Sequence, residues 1–168
     1  LIVTAGTPAS IAVKKATTSV PLVMLAVGDP VGTGIVPSLS HPGGNITGLT
    51  AISTEMDAKR LELLREVVPS VSYIALLWNA GSPLQVLAEK QVQAAAQVLR
   101  MRVLSLGVKT EEEIKSALAV MARERPDALL VLADRLLLHH RALIMDFATR
   151  HRLPGVHAYR ELVEAGGL

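Results

Sequence analysis

From Tyr73 onward, short apolar runs alternate with longer helical segments, and the runs begin at Tyr73, Met101, Asp127 and Pro154, about 27 residues apart. A step of that length holds one strand, one helix and the turns that join them. It is too long for a hairpin, and a strand that returns through a helix lies parallel to its predecessor. Residues 73–78 and 127–133 are apolar almost throughout, which is the pattern of strands covered on both faces. The order β-α-β-α-β-α-β-α therefore predicts an α/β fold, a parallel sheet flanked by helices on both faces.

The helix boundaries carry their own chemistry. Thr110-Glu111-Glu112-Glu113 is a capping box whose acidic residues also suit the positive end of the helix dipole. Thr54-Glu55-Met56-Asp57 has the same spacing with Asp in place of Glu. Asn79-Ala80-Gly81-Ser82-Pro83 supplies a turn, an N-cap and an early proline for a helix reaching about residue 100. One continuous helix is expected over 136–152, a strand over 154–159 and a short helix over 160–165.

Upstream, strands are expected over 1–5 and 21–27. Thr7 reads as the N-cap of a helix ending near residue 18, with Pro8 in its first turn. Residues 31–39 read as a turn or two of helix. Between the two halves lies His41-Pro42-Gly43-Gly44-Asn45-Ile46-Thr47-Gly48-Leu49-Thr50, with three glycines and a proline in ten residues. The backbone must turn there and cannot be helix or central strand. We read it as the crossing between two α/β lobes.

Composition narrows the function. Half of the 168 residues are hydrophobic but only 2% are aromatic, so Ala, Val, Leu and Ile must fill the core. The absence of cysteine excludes disulfides, thiolate metal sites and cysteine nucleophiles. Seventeen basic residues against fifteen acidic give a net charge of +2, with no Lys/Arg cluster along the chain, which argues against nucleic acid as a partner. No apolar run reaches the roughly 18 residues of a membrane span. His139 and His140 are expected to leave different sides of one helix, and no His-Glu-x-x-His motif occurs, so no metal is expected. Residues 28–34, Gly-Asp-Pro-Val-Gly-Thr-Gly, lack the dinucleotide spacing and the phosphate-loop lysine, and there is no Gly-x-Ser-x-Gly elbow. Neither a cofactor nor an enzymatic activity is expected. The opening on Leu1-Ile2-Val3 and the close on Gly166-Gly167-Leu168 read as cut ends of a longer protein.

In an open parallel sheet, ligands bind beyond the carboxyl ends of the strands. Those ends carry Thr7 and Pro8, Asp29 and Pro30, Asn79 and Ser82, and Asp134. Helix N-termini there suit a carboxylate, and Asp29 or Asp134 can receive an ammonium, so together they form a candidate zwitterion site. The plainer alternative is that Thr7 and Ser82 only cap helices and Asp29 only starts a turn. Trp78 fits either the core or the wall of a cleft. Lys59, Arg60, Glu62, Arg65 and Glu66 read as a solvated helix face.

Several strings together resemble the ABC-transporter substrate-binding proteins of the tryptophan/tyrosine type. They are Asp29-Pro30-Val31-Gly32-Thr33-Gly34, Ser38 to Gly48 with its Pro-Gly-Gly-Asn-x-Thr-Gly element, Lys59-Arg60-Leu61-Glu62-Leu63-Leu64, Leu77-Trp78-Asn79, His151-Arg152-Leu153-Pro154 and the closing residues from Arg160. The resemblance runs in order along the chain. It implies a type I periplasmic-binding-protein fold, with one nearly complete lobe and part of the other. On that template residues 1–48 are a partial N-lobe with the crossing, 49–156 the C-lobe, and 157–168 the start of a return to the N-lobe. It further implies the solute-binding component of an importer, holding a small molecule, an amino acid and above all an aromatic one, between the lobes. Partners would be that solute and ABC permease subunits in the membrane. The location would be periplasmic or otherwise extracytoplasmic, with a signal peptide removed and a lipid anchor as one form. Gly43, Gly44 and Gly48 would serve as hinges. A ligand-sensing regulatory domain of the same fold is the alternative.

Overall fold

The computed structural model of the chain describes residues 1–51 and 54–166. The chain divides into two compact units, Leu1–Ser53 with Ser82–Leu84, and Thr54–Gly81 with Gln85–Leu168.

In the first unit, β1 (Ile2–Ala5), β2 (Leu22–Gly28) and β3 (Ile46–Ala51) form a parallel sheet in the order β1-β2-β3, and α1 (Thr7–Ala16) connects the first two. Leu22, Met24, Val27 and Ile46 bury their side chains with Ile35 and Val36 from the loop between β2 and β3. That loop holds no helix over 31–39; it is a chain of turns. The Asp29 carboxylate accepts from the Gly32 N–H at 2.8 Å, and the Asp29 carbonyl accepts from the Thr33 N–H and hydroxyl. The Pro30 carbonyl then accepts from Ile35 and Val36. Local side-chain bonding of this kind competes with helix, and here it wins.

The glycine-rich stretch turns at Gly43 and Gly44, both at positive φ, and then becomes strand at Ile46. The count of glycines conceals this strand, which occupies the edge of the sheet and pairs Ile46 with Leu22. Gly48 is required by packing: a Cβ there would overlap the backbone of Met24, its partner across the ladder. A lobe boundary at residue 48 would cut β3, whereas the compact units divide at residue 53.

The second unit runs α2 (Thr54–Val67), β4 (Tyr73–Asn79), α3 (Pro83–Val98), β5 (Arg102–Val108), α4 (Glu111–Glu124), β6 (Ala128–Val131), α5 (Arg135–His139), α6 (Arg141–Arg150), β7 (Gly155–His157) and α7 (Arg160–Glu164). Its four strands are parallel in the order β5-β4-β6-β7. Alternate residues of the central strands face opposite ways. Ile74, Leu76, Ala128 and Leu130 pack with Leu61 and Leu64 of α2 and Ala88, Val92 and Ala96 of α3. Ala75, Leu77, Leu129 and Val131 pack against α4, α5, α6 and α7 on the other face. Helices cover both faces, as the apolar strands require.

Several boundaries differ from the sequence reading. The helix expected over 136–152 is two, divided at His140 (φ −94°, ψ 20°), which closes α5 and opens α6. Neither Gly nor Pro marks that break in the sequence. It also brings the rings of His139 and His140 edge to face at 4.9 Å, where a single helix would have separated them. The last strand is three residues long and, among the described residues, pairs with β6 alone. Residues 160–164 pack in the second unit, with Leu162 fully buried in its core. At α4 the Thr110 hydroxyl accepts from Glu113 N–H, while Glu113 reaches back to the Lys109 N–H, one residue before the usual capping-box partner. α2 begins at Thr54 itself, and the side chains of Thr54 and Glu55, which the capping-box reading needs, lie outside what the structure describes.

Three helices of this unit end alike. After α3 the N–H groups of Arg100 and Met101 bond to Gln97 and Ala96, and after α6 those of Arg152 and Leu153 bond to Thr149 and Ala148. Both are Schellman closures with arginine in the left-handed position, at φ 54° and 51°. After α4, Arg125 (φ 49°) bonds to Met121, and Pro126, which has no N–H, permits only this simpler form.

Candidate ligand-binding site

The carboxyl end of the four-stranded sheet gathers polar groups from four segments. Asn79 ends β4, and its side-chain N–H donates to the Asp134 carboxylate at 2.9 Å while its oxygen accepts from the Gly81 N–H. Asp134 follows β6 and caps α5, accepting from Leu136 N–H at 2.8 Å through the same oxygen. It is buried, and burial raises its pKa against the opposing effect of the Asn79 and backbone hydrogen bonds. Among the described residues no cationic side chain pairs with it.

Gln85, in the first turn of α3, donates from its amide nitrogen to the Ala133 carbonyl at 2.8 Å. Its oxygen is buried and has no hydrogen-bond partner. His157, at the end of β7, is in a similar position: Nδ1 is buried and unpartnered, and burial holds the ring's pKa down to about 4. Tyr159 lies beyond it, its pKa raised by burial, within reach of the charges of Arg135, Asp134 and Arg60. Buried acceptors with unmet demand are uncommon in folded proteins and call for an explanation. In a parallel α/β sheet this end is where ligands bind.

The other expected residues divide. In the first unit Thr7 is not an N-cap: Gly6 occupies that place, and the buried Thr7 hydroxyl accepts from the Gly28 N–H at 3.2 Å, tying α1 to the end of β2. The left-handed φ of 85° at Gly6 turns the chain into the helix one residue earlier than the Thr-Pro pair suggests. Pro8 is exposed in the first turn, and α1 begins with no side-chain cap and no acidic residue. Asp29 and Pro30 are occupied in the turn already described. Ser82 is buried immediately before α3. Trp78 packs on the core, lies over Gly107 and donates its ring N–H to Ser105 at 2.9 Å, so it is core rather than cleft wall. On α2, Arg60 is not solvated but pairs with buried Asp57 at 2.6 Å. Gln85 and His157 were missed by sequence reasoning. Gln85 precedes Ala88 and Val92 at helical spacing on the buried stripe of α3, and that misplaced polar residue was the available signal.

A model of the ABC transporter substrate binding protein family matches residues 1–168. The chain belongs to that family. It is a family of binding proteins, not of enzymes, and its fold is the type I periplasmic-binding fold. A curated relative, the tyrosine-binding protein of Clostridioides difficile (strain R20291), is 29% identical over all 168 residues, which correspond to 48% of its own length. The ABC domain in complex with L-Trp from Streptococcus pneumonia is similar over the whole chain and 57% of its own, with TM-score 0.87 and 27% identity. A conserved domain protein of Vibrio cholerae matches 99% of the chain and 55% of its own, with TM-score 0.88 and 28% identity. The chain thus spans about half the length of the relatives it matches.

Proposed function

We propose that this chain is part of the solute-binding component of an ABC importer, and that its solute is an α-amino acid with an aromatic side chain. The observation that carries the reading is Asp134, a buried carboxylate at the carboxyl end of the sheet that Asn79 orients and no side-chain cation neutralises. A ligand ammonium supplies the missing charge and hydrogen bonds, and the unpartnered Gln85 oxygen offers a second acceptor. The relatives named for tyrosine and bound to L-Trp support an aromatic side chain on that zwitterion. The solute-loaded form docks on a permease in an extracytoplasmic compartment, and Gly43 and Gly44, both at positive φ, are the hinge candidates of the crossing segment.

The test is calorimetric titration of the chain with L-tryptophan, L-tyrosine and their des-amino analogues. Saturable binding is expected, at least tenfold weaker for the des-amino compounds and for Asp134→Asn with the parent amino acid. Equal affinity for amino and des-amino ligands would remove Asp134 as the ammonium site, and no binding of any of them would remove the aromatic amino acid as solute.

A further inference from the structure

At the opposite, amino end of the four-stranded sheet, the C-termini of α4 and α6 enclose a pocket of about 460 Å³. Its lining combines apolar Met121, Phe147 and Leu153 with Arg125, Arg150, Arg152 and His151. Sequence alone shows no basic cluster, because these residues come from two segments some 25 positions apart. Arg150 is engaged by Asp146 at 3.0 Å. Arg125 and Arg152 have no carboxylate within ion-pair distance among the described residues. The nearest carboxylates in sequence are engaged elsewhere, Glu124 by Arg123 at 3.4 Å and Asp127 by the backbone N–H groups of Ser72 and Tyr73.

One feature sets these arginines apart from ordinary charges at helix ends. Complementing a helix dipole needs only a cation, and lysine serves as well. Yet all six lysines of the chain lie elsewhere, and every cation of this pocket besides histidine is arginine, the side chain whose planar fork matches oxyanions. Arg125 and Arg152, like Arg100 outside the pocket, occupy left-handed positions that glycine fills without steric penalty, so both can be replaced by glycine without straining the backbone.

We propose that this pocket binds a phosphate monoester whose organic part lies against Phe147 and Leu153. Two unpaired guanidinium groups match the near-double negative charge of such an ester at neutral pH better than the single charge of a carboxylate.

The experiment titrates the chain with phenyl phosphate and with benzoate, and repeats both with the Arg125→Gly/Arg152→Gly double variant. Glycine is unstrained at both positions, so the variant should melt no lower than the parent. Saturable phenyl phosphate binding, at least tenfold tighter than benzoate and at least tenfold weakened in the variant, is expected. A parallel arm uses phosphatidylcholine vesicles with and without phosphatidic acid. Retention on the acidic vesicles together with phenyl phosphate binding identifies a lipid headgroup as the source, and phenyl phosphate binding without retention identifies a soluble ester. The proposal is overturned by absence of saturable phenyl phosphate binding, by equal affinity for benzoate, or by binding that survives the double substitution. Vesicle retention without phenyl phosphate binding overturns it equally, because a basic face and not the pocket would then be responsible.

Discussion

Asp57 and His157 titrate in opposite senses in the folded second unit. Burial pushes the Asp57 carboxyl up to about 6, although Arg60 at 2.6 Å pulls the other way. Its folded pKa exceeds the unfolded value, so the stability it contributes is complete below about pH 4 and is lost as pH rises through 6. Burial lowers the His157 ring to about 4, so its contribution is complete above pH 6.5 and is lost as pH falls toward 4. The two slopes offset each other between pH 4 and 6. Asp57→Asn is therefore expected to give a stability that climbs with pH over that window, and His157→Gln one that declines; denaturant melts at half-unit intervals measure both, and parallel profiles for the two variants would refute the assignment. Gly48 makes a simpler case. A Cβ would overlap Met24 across the β2–β3 ladder, so Gly48→Ala should lower unfolding free energy by more than about 1 kcal/mol in urea titration.

The helix ends of the second unit show which local signals act as the sequence suggests. Thr110 caps α4 as its motif predicts, and Thr110→Ala should cost about 1 kcal/mol in the same assay. The C-terminal closures were not legible, because arginine in a left-handed position leaves no signature of the kind glycine leaves. Their geometry comes from burial of the residue that follows. Met101 and Leu153 enter the cores beside Ala96 and Ala148, and the backbone between must reverse to deliver them. Arg100 lies outside the arginine pocket, so Arg100→Gly isolates the steric penalty; stability should rise by up to about 1 kcal/mol. A loss would mean that the Arg100 side chain contributes contacts of its own. The break at His140 was also hidden, because no glycine or proline marks it.

For the whole molecule, the strength of the second unit lies in the two central strands. Residues 74–77 and 128–132 are wholly buried between helical layers, and their amides should be the slowest in the chain to exchange with deuterium, while β3 at a sheet edge exchanges faster. Equal protection of β3 and β6 would contradict that ranking. The parallel α/β class, the order of elements from Tyr73, and the placement of Asn79 and Asp134 at strand ends were all determined by sequence, because hydrophobic periodicity and capping chemistry are local and act within one turn or one strand. The tertiary structure alone decided that Asn79 bonds to Asp134, that Gln85 and His157 bury unpartnered atoms near the same sheet end, that Thr7 reaches Gly28, and that arginines from two helices share one pocket. Each of these depends on which strands become neighbours. Strand order in a parallel sheet is set by how crossover helices pack, and no residue encodes that packing by itself.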